Sequence, residues 1–587
     1  MSRSQLTIQQ AARLLDAGLI SCKQLVAYCR TLAVAGEEIW GLHAYNTLVD
    51  LDQMLDQAGE SDRRRHYGET MSILDGIPMS FKSNIAVRTE PLTAGSRILG
   101  YHHDINKASM IAPPVGYDAD TVKILLRDKG GILMGTTSLD EFGMGSLGTN
   151  TAVGVDGKAR PTKNPLPLLS FLDEMLANAI PKDASSAEEQ LVATLQLPSD
   201  VILQCHQNAL QLYEQSHMGG FAFSAGGSSS GSAASVAHGS ALLSLGTDTG
   251  GSVRLPAAWC GLVGLKPSYG LLSRHGIVSY ASSFDTVGIL ARSVDCACIA
   301  LDVLAQRGEY SRDSTFSSYG PNNTSSSQVA VAELSTSNNP LNGVKVGIPE
   351  AFSIRECPSD ISENWSKAAQ ILEDYGAEIV QVSAESISPG LIQKALAAYY
   401  VLVSAEASSN LSRYDGFRYG VKANTTATTD LNKDYTPLEQ QYASTRSEGF
   451  GKEVARRILC GTYVLSSDQF HTHYEAAATL RACLAEELHS TLKERVDLLL
   501  IPTVLSPPPH IEYSGTSMDS TVMFANDIMT TPPSLAGLPS VSVPMTSTVE
   551  DAKFPSSMQL IGGRLREDVI LKAAHVLLKQ SGSYGGP

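Results

Sequence analysis

The chain has 587 residues, of which 43% are hydrophobic and 18% are charged, an ordinary composition for a large globular protein. No apolar run reaches the roughly 18 residues that a membrane-spanning helix needs. The net charge of −16 opposes binding to a phosphate backbone, because affinity for nucleic acids depends largely on Lys and Arg side chains. These properties argue against a membrane protein and against a protein that grips nucleic acid by itself.

The cysteines argue against both disulfides and a metal site. Nine of them are scattered along the chain, and this odd number predicts reduced thiols in an intracellular compartment. Cys296 and Cys298 form a Cys-x-Cys pair, but no second pair lies at a spacing typical of zinc sites. We therefore expect no metal in this chain. The first residues have no apolar signal core, and they leave open whether a presequence precedes them.

The N-terminal region, residues 1–70, is predicted to be helical. Within it, Ser21 and Gln24 form a capping box ahead of "LVAYCRTLA", whose apolar side chains share one helical face. Strands are predicted within residues 72–87, where apolar pairs meet Gly and Pro, and at "GGILMGTT", residues 130–137. Residues 166–220 then become polar and helix-like, and we interpret this stretch as an insertion.

The second half of the chain predicts an α/β sandwich. Gly, Ser and Ala dominate residues 224–283, which indicates close backbone packing, while the Ser/Asn-rich residues 309–343 predict a mobile surface insertion. "VKVGIPE" and "DLLLIPTV" predict buried strands, with helices at residues 363–375 and 470–492. Apolar strands that alternate with helices are typical of α/β folds.

Two glycine-rich motifs have weak support from their context. "GMGSLG", residues 143–148, fits G-x-G-x-x-G, but the polar "SLDEF" separates it from the preceding strand, so a packed loop is expected. Gly227, Ser229 and Gly231 fit the G-x-S-x-G of a nucleophile elbow, yet "GGFAFSA" before them is a weak strand. Neither motif predicts a site by itself.

Three separated residues form a more informative pattern. Lys82 follows "GIPMSF", Ser228 lies in "AGGSSSGSAA", and Ser252 lies in "DTGGSVR". A nucleophilic serine needs a base, and the nearest histidines, His238 and His275, lie in no recognisable triad setting. A lysine made neutral by burial can act as the base, with a second hydroxyl passing the proton. Lys82, Ser228 and Ser252 fit these three roles.

The glycines before Ser252 suit an oxyanion hole. Gly250 and Gly251 allow successive backbone N–H groups to converge on one point, and Asp248 could brace the loop. A Gly-Gly-Ser sequence is equally consistent with a turn that has no chemical role, and a lone lysine with a surface charge. The chemistry of the residues alone leaves these alternatives open.

The segments "GIPMSFKSN", "AGGSSSGSAA" and "GTDTGGSVRLPAAWCGLVGLKPSYG" resemble the amidase signature family of serine hydrolases, in which the two serines are likewise 24 residues apart. The resemblance implies that Ser252 is the nucleophile, that Ser228 is a bridging serine after a cis peptide bond, and that Lys82 is the base. The implied oxyanion hole consists of the amides of Thr249, Gly250, Gly251 and Ser252.

The same resemblance implies the architecture. Residues 71–587 would form a single large catalytic domain, with insertions near residues 166–220 and 309–343. Its core would be a central mixed β-sheet covered by helices on both faces.

Within this family, "SLDEFGMGSLGTN", "RSEGFGKEVARRILCGTYVLSS" and "FANDIMTTPPSLAGLPSVSVP" resemble the A subunits of glutamyl-tRNA(Gln) amidotransferases. Such a subunit hydrolyses glutamine and passes ammonia to a partner, which uses ATP and Mg²⁺ to amidate a mischarged Glu-tRNA. The resemblance implies B and C partner subunits, contact with tRNA through a partner, no membrane, and no cofactor in this chain.

Three residues are implied as glutamine binders: Arg457, Asp527 and Tyr399. An arginine fork suits the α-carboxylate of glutamine, and an aspartate suits the α-ammonium. The alternative for Arg457 and Asp527 is a structural salt bridge.

The chain departs from the family pattern at three places. Ser83 stands where the family commonly has aspartate, Ser230 stands where it usually has glycine, and the two insertions lengthen the chain. Such insertions favour an organellar, mitochondrial location, with the cytoplasm or a plastid as alternatives.

Three hypotheses follow. The first is a glutamine-hydrolysing subunit, and the second is a free-standing amidase acting on another carboxamide. The third is an inactive structural subunit, which predicts a distorted backbone at Ser230 and no acylation of Ser252.

Overall fold

The computed structural model describes residues 6–100, 112–151, 160–181, 184, 186–216, 221–305, 312–316, 339–423, 435–511, 526–547 and 554–582. Most of the segment predicted to be mobile, residues 309–343, lies outside the described residues.

Eleven strands form one mixed sheet, in the order β1-β3-β2-β4-β6-β5-β10-β11-β9-β7-β8. The strands are β1 Tyr45–Leu48, β2 Pro78–Lys82, β3 Ile132–Thr137, β4 Leu243–Asp248, β5 Val263–Lys266, β6 Thr286–Ala291, β7 Lys345–Pro349, β8 Glu378–Val382, β9 Leu498–Pro502, β10 Ser540–Met545 and β11 Ser556–Gly562. β2 runs parallel to β3 and β4, and β7 runs parallel to β8 and β9, whereas the other pairs are antiparallel. The four predicted strands are confirmed as β2, β3, β7 and β9.

Helices connect the strands. They are α1 Ile8–Asp16, α2 Cys22–Glu38, α3 Leu51–His66, α4 Arg97–Gly100, α5 Asp120–Val122, α6 Leu166–Ala179, α7 Ala187–Leu195, α8 Ser199–Ser216, α9 Ser230–His238, α10 Arg254–Trp259, α11 Val294–Leu304, α12 Ser359–Asp374, α13 Pro389–Leu411, α14 Pro437–Gly449, α15 Lys452–Val464, α16 Ala476–Glu494, α17 Thr531–Leu535 and α18 Glu567–Gln580. π-Helical turns at Lys123–Asp128 and Phe470–Glu475 adjoin α5 and α16, and 3₁₀ turns lie at Glu141–Gly143 and Glu350–Phe352.

Both faces of the sheet are covered. Every residue of β2, β3, β4, β6, β9 and β10 is buried. Successive side chains of a strand point to opposite faces, so burial of all of them requires helices on both sides. The predicted α/β fold, with a central mixed β-sheet covered by helices on both faces, is confirmed.

The N-terminal region contributes to this sheet. The predicted capping box begins α2, where Ser21 and Gln24 exchange side-chain and backbone hydrogen bonds. After α2, strand β1 pairs antiparallel with β3 at the edge of the sheet. The division of the chain at residue 70 stays a prediction.

The region interpreted as an insertion, residues 166–220, is helical where it is described, because α6, α7 and α8 lie in it. Leu168 and Leu172 of α6 and Tyr213 of α8 join a hydrophobic cluster that also contains Trp40 and the alanines of α9. These helices are therefore packed onto α9, which follows Ser229.

The sheet brings the motif residues to one place. β2 and β4 are parallel neighbours, and they end at Lys82 and Asp248 respectively. The carboxyl ends of neighbouring parallel strands meet at one edge, where the loops of open α/β sheets build their sites.

Candidate active site

Lys82 lies completely buried at the end of β2. Its Nζ is 2.7 Å from Ser228 Oγ, 3.0 Å from Thr247 Oγ1 and 3.3 Å from the Thr247 carbonyl oxygen. A neutral amine has two N–H donors and one lone pair. With both donors directed to Thr247, the lone pair would remain for the Ser228 hydroxyl.

Burial lowers the pKa of Lys82 to about 7, although the charges of Asp140, Asp248 and Asp285 oppose this shift. Near neutral pH a large fraction of the amine is therefore uncharged. Ser83, which stands where the family commonly has aspartate, hydrogen-bonds Asn46 through its hydroxyl. Three other buried carboxylates thus act on Lys82 even though the adjacent residue is a serine.

Ser228 is connected to Ser252 through the backbone. The Gly227–Ser228 peptide bond is cis, as the family resemblance implied. The next N–H, that of Ser229, donates a hydrogen bond of 3.1 Å to the Ser252 carbonyl oxygen. Lys82 and Ser228 are buried, whereas Ser252 is half-buried. The nucleophile predicted from the sequence is therefore the most accessible of the three.

The backbone at Ser230 is ordinary. This residue begins α9, its φ is not positive, and its hydroxyl lies 3.0 Å from Thr162 Oγ1. The distortion that the hypothesis of an inactive protein predicted is not found at this position.

The loop from Thr249 to Ser252 presents free donors. Within the described part of the chain, none of its four backbone N–H groups donates a hydrogen bond to a protein acceptor. The Thr530 hydroxyl donates to the Gly250 carbonyl oxygen at 2.7 Å, and the N–H of the same peptide group must point the opposite way. This arrangement is the one that an oxyanion hole requires.

Two glycines are required here by close contacts. A Cβ at Gly250 would lie 2.4 Å from Tyr399 Cζ, and a Cβ at Gly251 would lie 2.2 Å from Thr530 Oγ1. Gly251 also has a φ of 145°, which side chains disfavour.

A buried ion pair braces the end of the loop. Asp248 accepts hydrogen bonds from the Val253 N–H and from the guanidinium of Arg254, at 3.0 Å to Nε and 2.8 Å to Nη2. Both side chains are completely buried. Asp248 thus joins the two ends of the loop, as the sequence suggested.

Arg457 of α15 is buried beside two tyrosines. Its Nε donates to Glu453 at 2.8 Å, its Nη1 donates to the Tyr280 hydroxyl, and its Cζ lies 5.1 Å from the centre of the Tyr400 ring. Among the described residues Arg457 forms no ion pair with Asp527. The alternative of a structural salt bridge between the two is therefore wrong.

Asp527 is held by hydroxyl groups. It accepts hydrogen bonds from Ser146 Oγ at 2.8 Å and from the Tyr400 hydroxyl at 2.8 Å. Burial raises the pKa of Asp527 to about 6, against these hydrogen bonds and the charge of Arg457. An ionised Asp527 therefore has no bonded cation of its own among the described residues, and an ammonium group would supply one.

Tyr399 and Tyr400 are adjacent residues of α13 that make different contacts. Tyr399, the residue singled out from the sequence, packs on Gly250, and it is Tyr400 that binds Asp527. Sequence reasoning also missed Tyr280 and Ser146. The "YY" pair was the available signal for Tyr400, but choosing between adjacent residues requires the phase of the helix.

The remaining motifs do not add a second centre. "GMGSLG" is a packed loop in which the Gly148 N–H donates to Asp140, and no strong strand precedes Ser229. Within the described ranges, no group of three or more His, Cys, Asp or Glu residues is arranged to hold a metal ion. No helix in those ranges is long and apolar enough to cross a membrane.

The family model for amidases matches residues 24–168 and 221–571. The chain belongs to the amidase family. It is 34% identical over 527 residues to the A subunit of the glutamyl-tRNA(Gln) amidotransferase of Chlorobium phaeobacteroides (strain DSM 266), and this match covers 90% of each chain. The corresponding protein of the same name from Akkermansia muciniphila is 35% identical, over 86% of this chain and 87% of that one.

Solved structures of the amidase family have the same fold. The A subunit of the glutamyl-tRNA(Gln) amidotransferase of Thermotoga maritima superposes with a TM-score of 0.66 at 26% identity, covering 99% of this chain and 96% of that chain. A bacterial aryl acylamidase superposes with a TM-score of 0.69 at 20% identity, covering 99% of both chains. At that identity the second likeness concerns the fold alone.

Proposed function

We propose that this chain is the glutamine-hydrolysing A subunit of a glutamyl-tRNA(Gln) amidotransferase. One observation supports this particular function within the amidase family. Adjacent residues of α13 contact both the loop of Ser252 and the Asp527 carboxylate. Tyr399 packs on Gly250 in the loop of Ser252, and Tyr400 binds Asp527 beside Arg457. This arrangement supports a receptor for an α-amino acid next to the carboxamide bound at Ser252, which a simple amide would not need.

The triad would act by passing one proton inward. Lys82 accepts the Ser228 proton as Ser228 accepts the Ser252 proton, and Ser252 Oγ bonds to the carboxamide carbon. The amides of Thr249, Gly250, Gly251 and Ser252 receive the negative charge on the oxygen. The proton then returns through Ser228 to the nitrogen, the C–N bond breaks, and ammonia leaves. Water cleaves the ester by the same route and releases glutamate.

Glutamine would be held by its charged end. The Arg457 guanidinium suits the α-carboxylate, and Asp527 suits the α-ammonium. Arg457 keeps Nη2 free of hydrogen bonds to other described residues. Tyr280 and Tyr400 would keep Arg457 in place, and Ser146 would do the same for Asp527.

The rest of the reaction would take place on partners. The complex would contain B and C subunits. One partner would accept the ammonia and amidate Glu-tRNA(Gln), and the complex would use ATP and Mg²⁺. The net charge of −16 supports tRNA binding by a partner rather than by this chain. The two insertions support a mitochondrial location.

The test is purification with associated subunits, followed by glutamine-dependent amidation of Glu-tRNA(Gln). Ser252→Ala should abolish this activity, and added ammonium chloride should restore amidation because the partner then needs no glutamine. A chain that hydrolyses aliphatic amides well but ignores glutamine would be a free-standing amidase instead. Unchanged glutamine-dependent activity in Ser252→Ala would show that Ser252 is not the nucleophile.

A further inference from the structure

We propose that Asp140 is a positioning residue that holds Ser228 in place and supplies negative charge that acts on Lys82 when that amine takes up a proton. This inference rests on the proposed function only in that Lys82 acts as the base. Asp140 contacts no reacting atom.

Asp140 contacts the Gly227–Ser228 segment through both its backbone and its side chain. The residue is completely buried after β3. Its N–H donates a hydrogen bond of 3.2 Å to the Ser228 carbonyl oxygen. A Cβ at Gly227 would lie 2.0 Å from Asp140 Oδ2, so the carboxylate packs directly against the peptide that precedes Ser228. Any shift of Asp140 would therefore move the hydroxyl that contacts Lys82.

The same carboxylate closes the loop of residues 143–150. Oδ1 accepts the Asn150 N–H at 2.8 Å, and Oδ2 accepts the Gly148 N–H at 3.1 Å. This loop carries Ser146, which donates to Asp527. Asp140 thus connects the lysine–serine pair to the proposed receptor for the ammonium group.

Asp140 has the charge that a protonated Lys82 would need. Its carboxylate accepts hydrogen bonds from two backbone N–H groups, and burial raises its pKa against these hydrogen bonds and against the charges of Lys82 and Arg457. The charges of two other carboxylates also act on Lys82. Asp248 is already paired with Arg254, and Asp285 binds the hydroxyl of Thr249 and two backbone N–H groups. Of the three, Asp140 is the one for which the described part of the chain shows a hydrogen bond to Ser228.

The direction of the electrostatic effect can be measured. Asp140 is the carboxylate that most strongly raises the pKa of Lys82, against the larger lowering by burial. Removing its charge should make Lys82 easier to deprotonate and its cation less stable. The acidic limb of the rate profile should then move to lower pH, while the maximal rate falls. A residue that only packs would lower the rate and leave the limb unmoved.

The test uses the full chain and a fluorophosphonate. Ser252 Oγ forms a bond to its phosphorus atom, fluoride leaves, and the Ser252 proton passes through Ser228 to Lys82. We expect Asp140→Asn to shift the acidic limb of the labelling rate down by about one pH unit, as loss of a neighbouring charge does. We also expect its maximal rate to fall at least about tenfold. An unmoved limb would overturn the electrostatic role.

A second variant separates charge from position. Asp140→Glu keeps the charge but moves the carboxylate by one methylene group. The acidic limb of the labelling-rate profile should therefore stay at the wild-type pH, while the maximal labelling rate falls about tenfold or more. A wild-type rate in this variant would overturn the positioning role, even if Asp140→Asn fails to fold. Asp75→Asn is the matched control, because Asp75 is a buried carboxylate held by Arg64 and Ser61, and it should leave the limb in place.

Labelling needs no glutamine, which separates the two proposals. Wild-type protein that is labelled but does not hydrolyse glutamine would overturn the proposed function and leave the inference on Asp140 testable.

Discussion

At the scale of single residues, Lys82 couples activity to pH. Burial lowers its pKa to about 7, so the amine becomes protonated below that value and can no longer accept the Ser228 proton. We expect kcat/KM for glutamine to fall about tenfold per pH unit on the acidic side of this pKa. A profile that is flat between about pH 5 and 7 would contradict a neutral lysine base.

Replacing the base itself is a stronger test. Lys82→Ala should lower kcat for glutamine hydrolysis by about 10²- to 10⁴-fold, the usual contribution of a general base, without unfolding the protein. Lys163→Ala is the control, because Lys163 is a half-buried lysine that contacts the Trp40 carbonyl and the Phe221 ring. Retention of more than about a tenth of the activity in Lys82→Ala would exclude the lysine as the base.

Arg457 and its neighbour Arg456 form a matched pair for substrate binding. Both contact Glu453, at 2.8 and 2.9 Å, but Arg456 is exposed. Loss of charged hydrogen bonds to the α-carboxylate should raise KM about 10- to 100-fold in Arg457→Ala. Arg456→Ala should keep the wild-type KM. Steady-state glutamine hydrolysis measures KM in both variants. Equal KM values would show that Arg457 does not bind glutamine.

The site could be predicted from the sequence only where the residues lie in motifs. Ser228 and Ser252 each follow a Gly-Gly pair and Lys82 follows "GIPMSF". The geometry brings Lys82 and Ser228 within 2.7 Å. Tyr280 lies in no such motif, and Asp140 lies in "SLDEFGMGSLGTN", which by itself assigns it no chemical role. Their contacts with Arg457 and Ser228 depend on tertiary packing between segments distant in the chain.

At the scale of elements, the conformation of the glycine loop between β4 and α10 requires residues without a Cβ. Gly250→Ala would force a Cβ to within 2.4 Å of Tyr399 Cζ, so the loop or α13 must shift. We expect kcat to fall about 10²-fold or more, because misplaced oxyanion donors cost that much. Gly390→Ala, in the first turn of α13, meets no atom closer than 3.7 Å and should leave kcat unchanged. A near-normal kcat in Gly250→Ala would contradict a rigid loop.

The Asp248–Arg254 pair should dominate the stability of this loop. Arg254→Ala leaves a buried carboxylate without its cation, and we expect the free energy of unfolding to fall by about 3–5 kcal/mol. Arg566→Ala, which breaks an exposed pair with Asp568, should change it by less than about 1 kcal/mol. Urea unfolding measures both, and similar values for the two variants would contradict the expectation.

The same pair has a defined pH dependence. Burial alone would raise the pKa of Asp248, but the Arg254 guanidinium lowers it below its ordinary value. A carboxyl group with a lowered pKa in the folded protein contributes stability above the pKa of the unfolded chain, about 3.9. This contribution is lost as the pH falls through the lower, folded value.

The elements with strong local signals were predictable, and β1 was not. The capping box of α2 and the apolar runs of β3 and β9 are local in sequence. β1 has only four residues, none of them fully buried, and it exists because it pairs with β3. Short edge strands owe their existence to a partner that sequence patterns do not reveal.

At the scale of the whole molecule, a pair of buried histidines joins α8 to α9. His206 of α8 lies 3.1 Å from His238 of α9, nitrogen to nitrogen, and its other ring nitrogen lies 2.8 Å from the Ile202 carbonyl oxygen. Burial lowers the pKa of His206 to about 4 and holds that of His238 well below its usual value. Both rings are therefore neutral in the folded protein at neutral pH.

This pair should make the protein sensitive to acid. In the unfolded chain both histidines take up protons near pH 6.5, so folding stability is full above that pH and declines as the pH falls toward about 4. We expect the thermal midpoint of His206→Gln to depend less on pH in this range than that of the wild type. His471→Gln, at an exposed histidine, should retain the wild-type dependence. Identical slopes in all three proteins would contradict the expectation.

The sheet order shows the limit of prediction for the whole fold. β5 and β6 lie between β4 and β10, and β7 and β8 form the far edge beyond β9. Alternation of apolar strands and helices predicts the layers, since it reports what each element buries. It carries no information on which strands are neighbours, and the family resemblance supplied that part only in general terms.

Trp40 gives the contact between α8 and α9 an optical signal. Its indole N–H donates to the His206 carbonyl oxygen at 3.1 Å, and its ring centre lies 4.8 and 4.9 Å from those of His206 and His238. The other two tryptophans, Trp259 and Trp365, bind the Ser506 and Leu500 carbonyl oxygens elsewhere. With those two changed to phenylalanine, fluorescence would come from Trp40 alone. The emission of Trp40 shifts to longer wavelength when water reaches the ring. Its time course during unfolding would therefore report when α8 separates from the core.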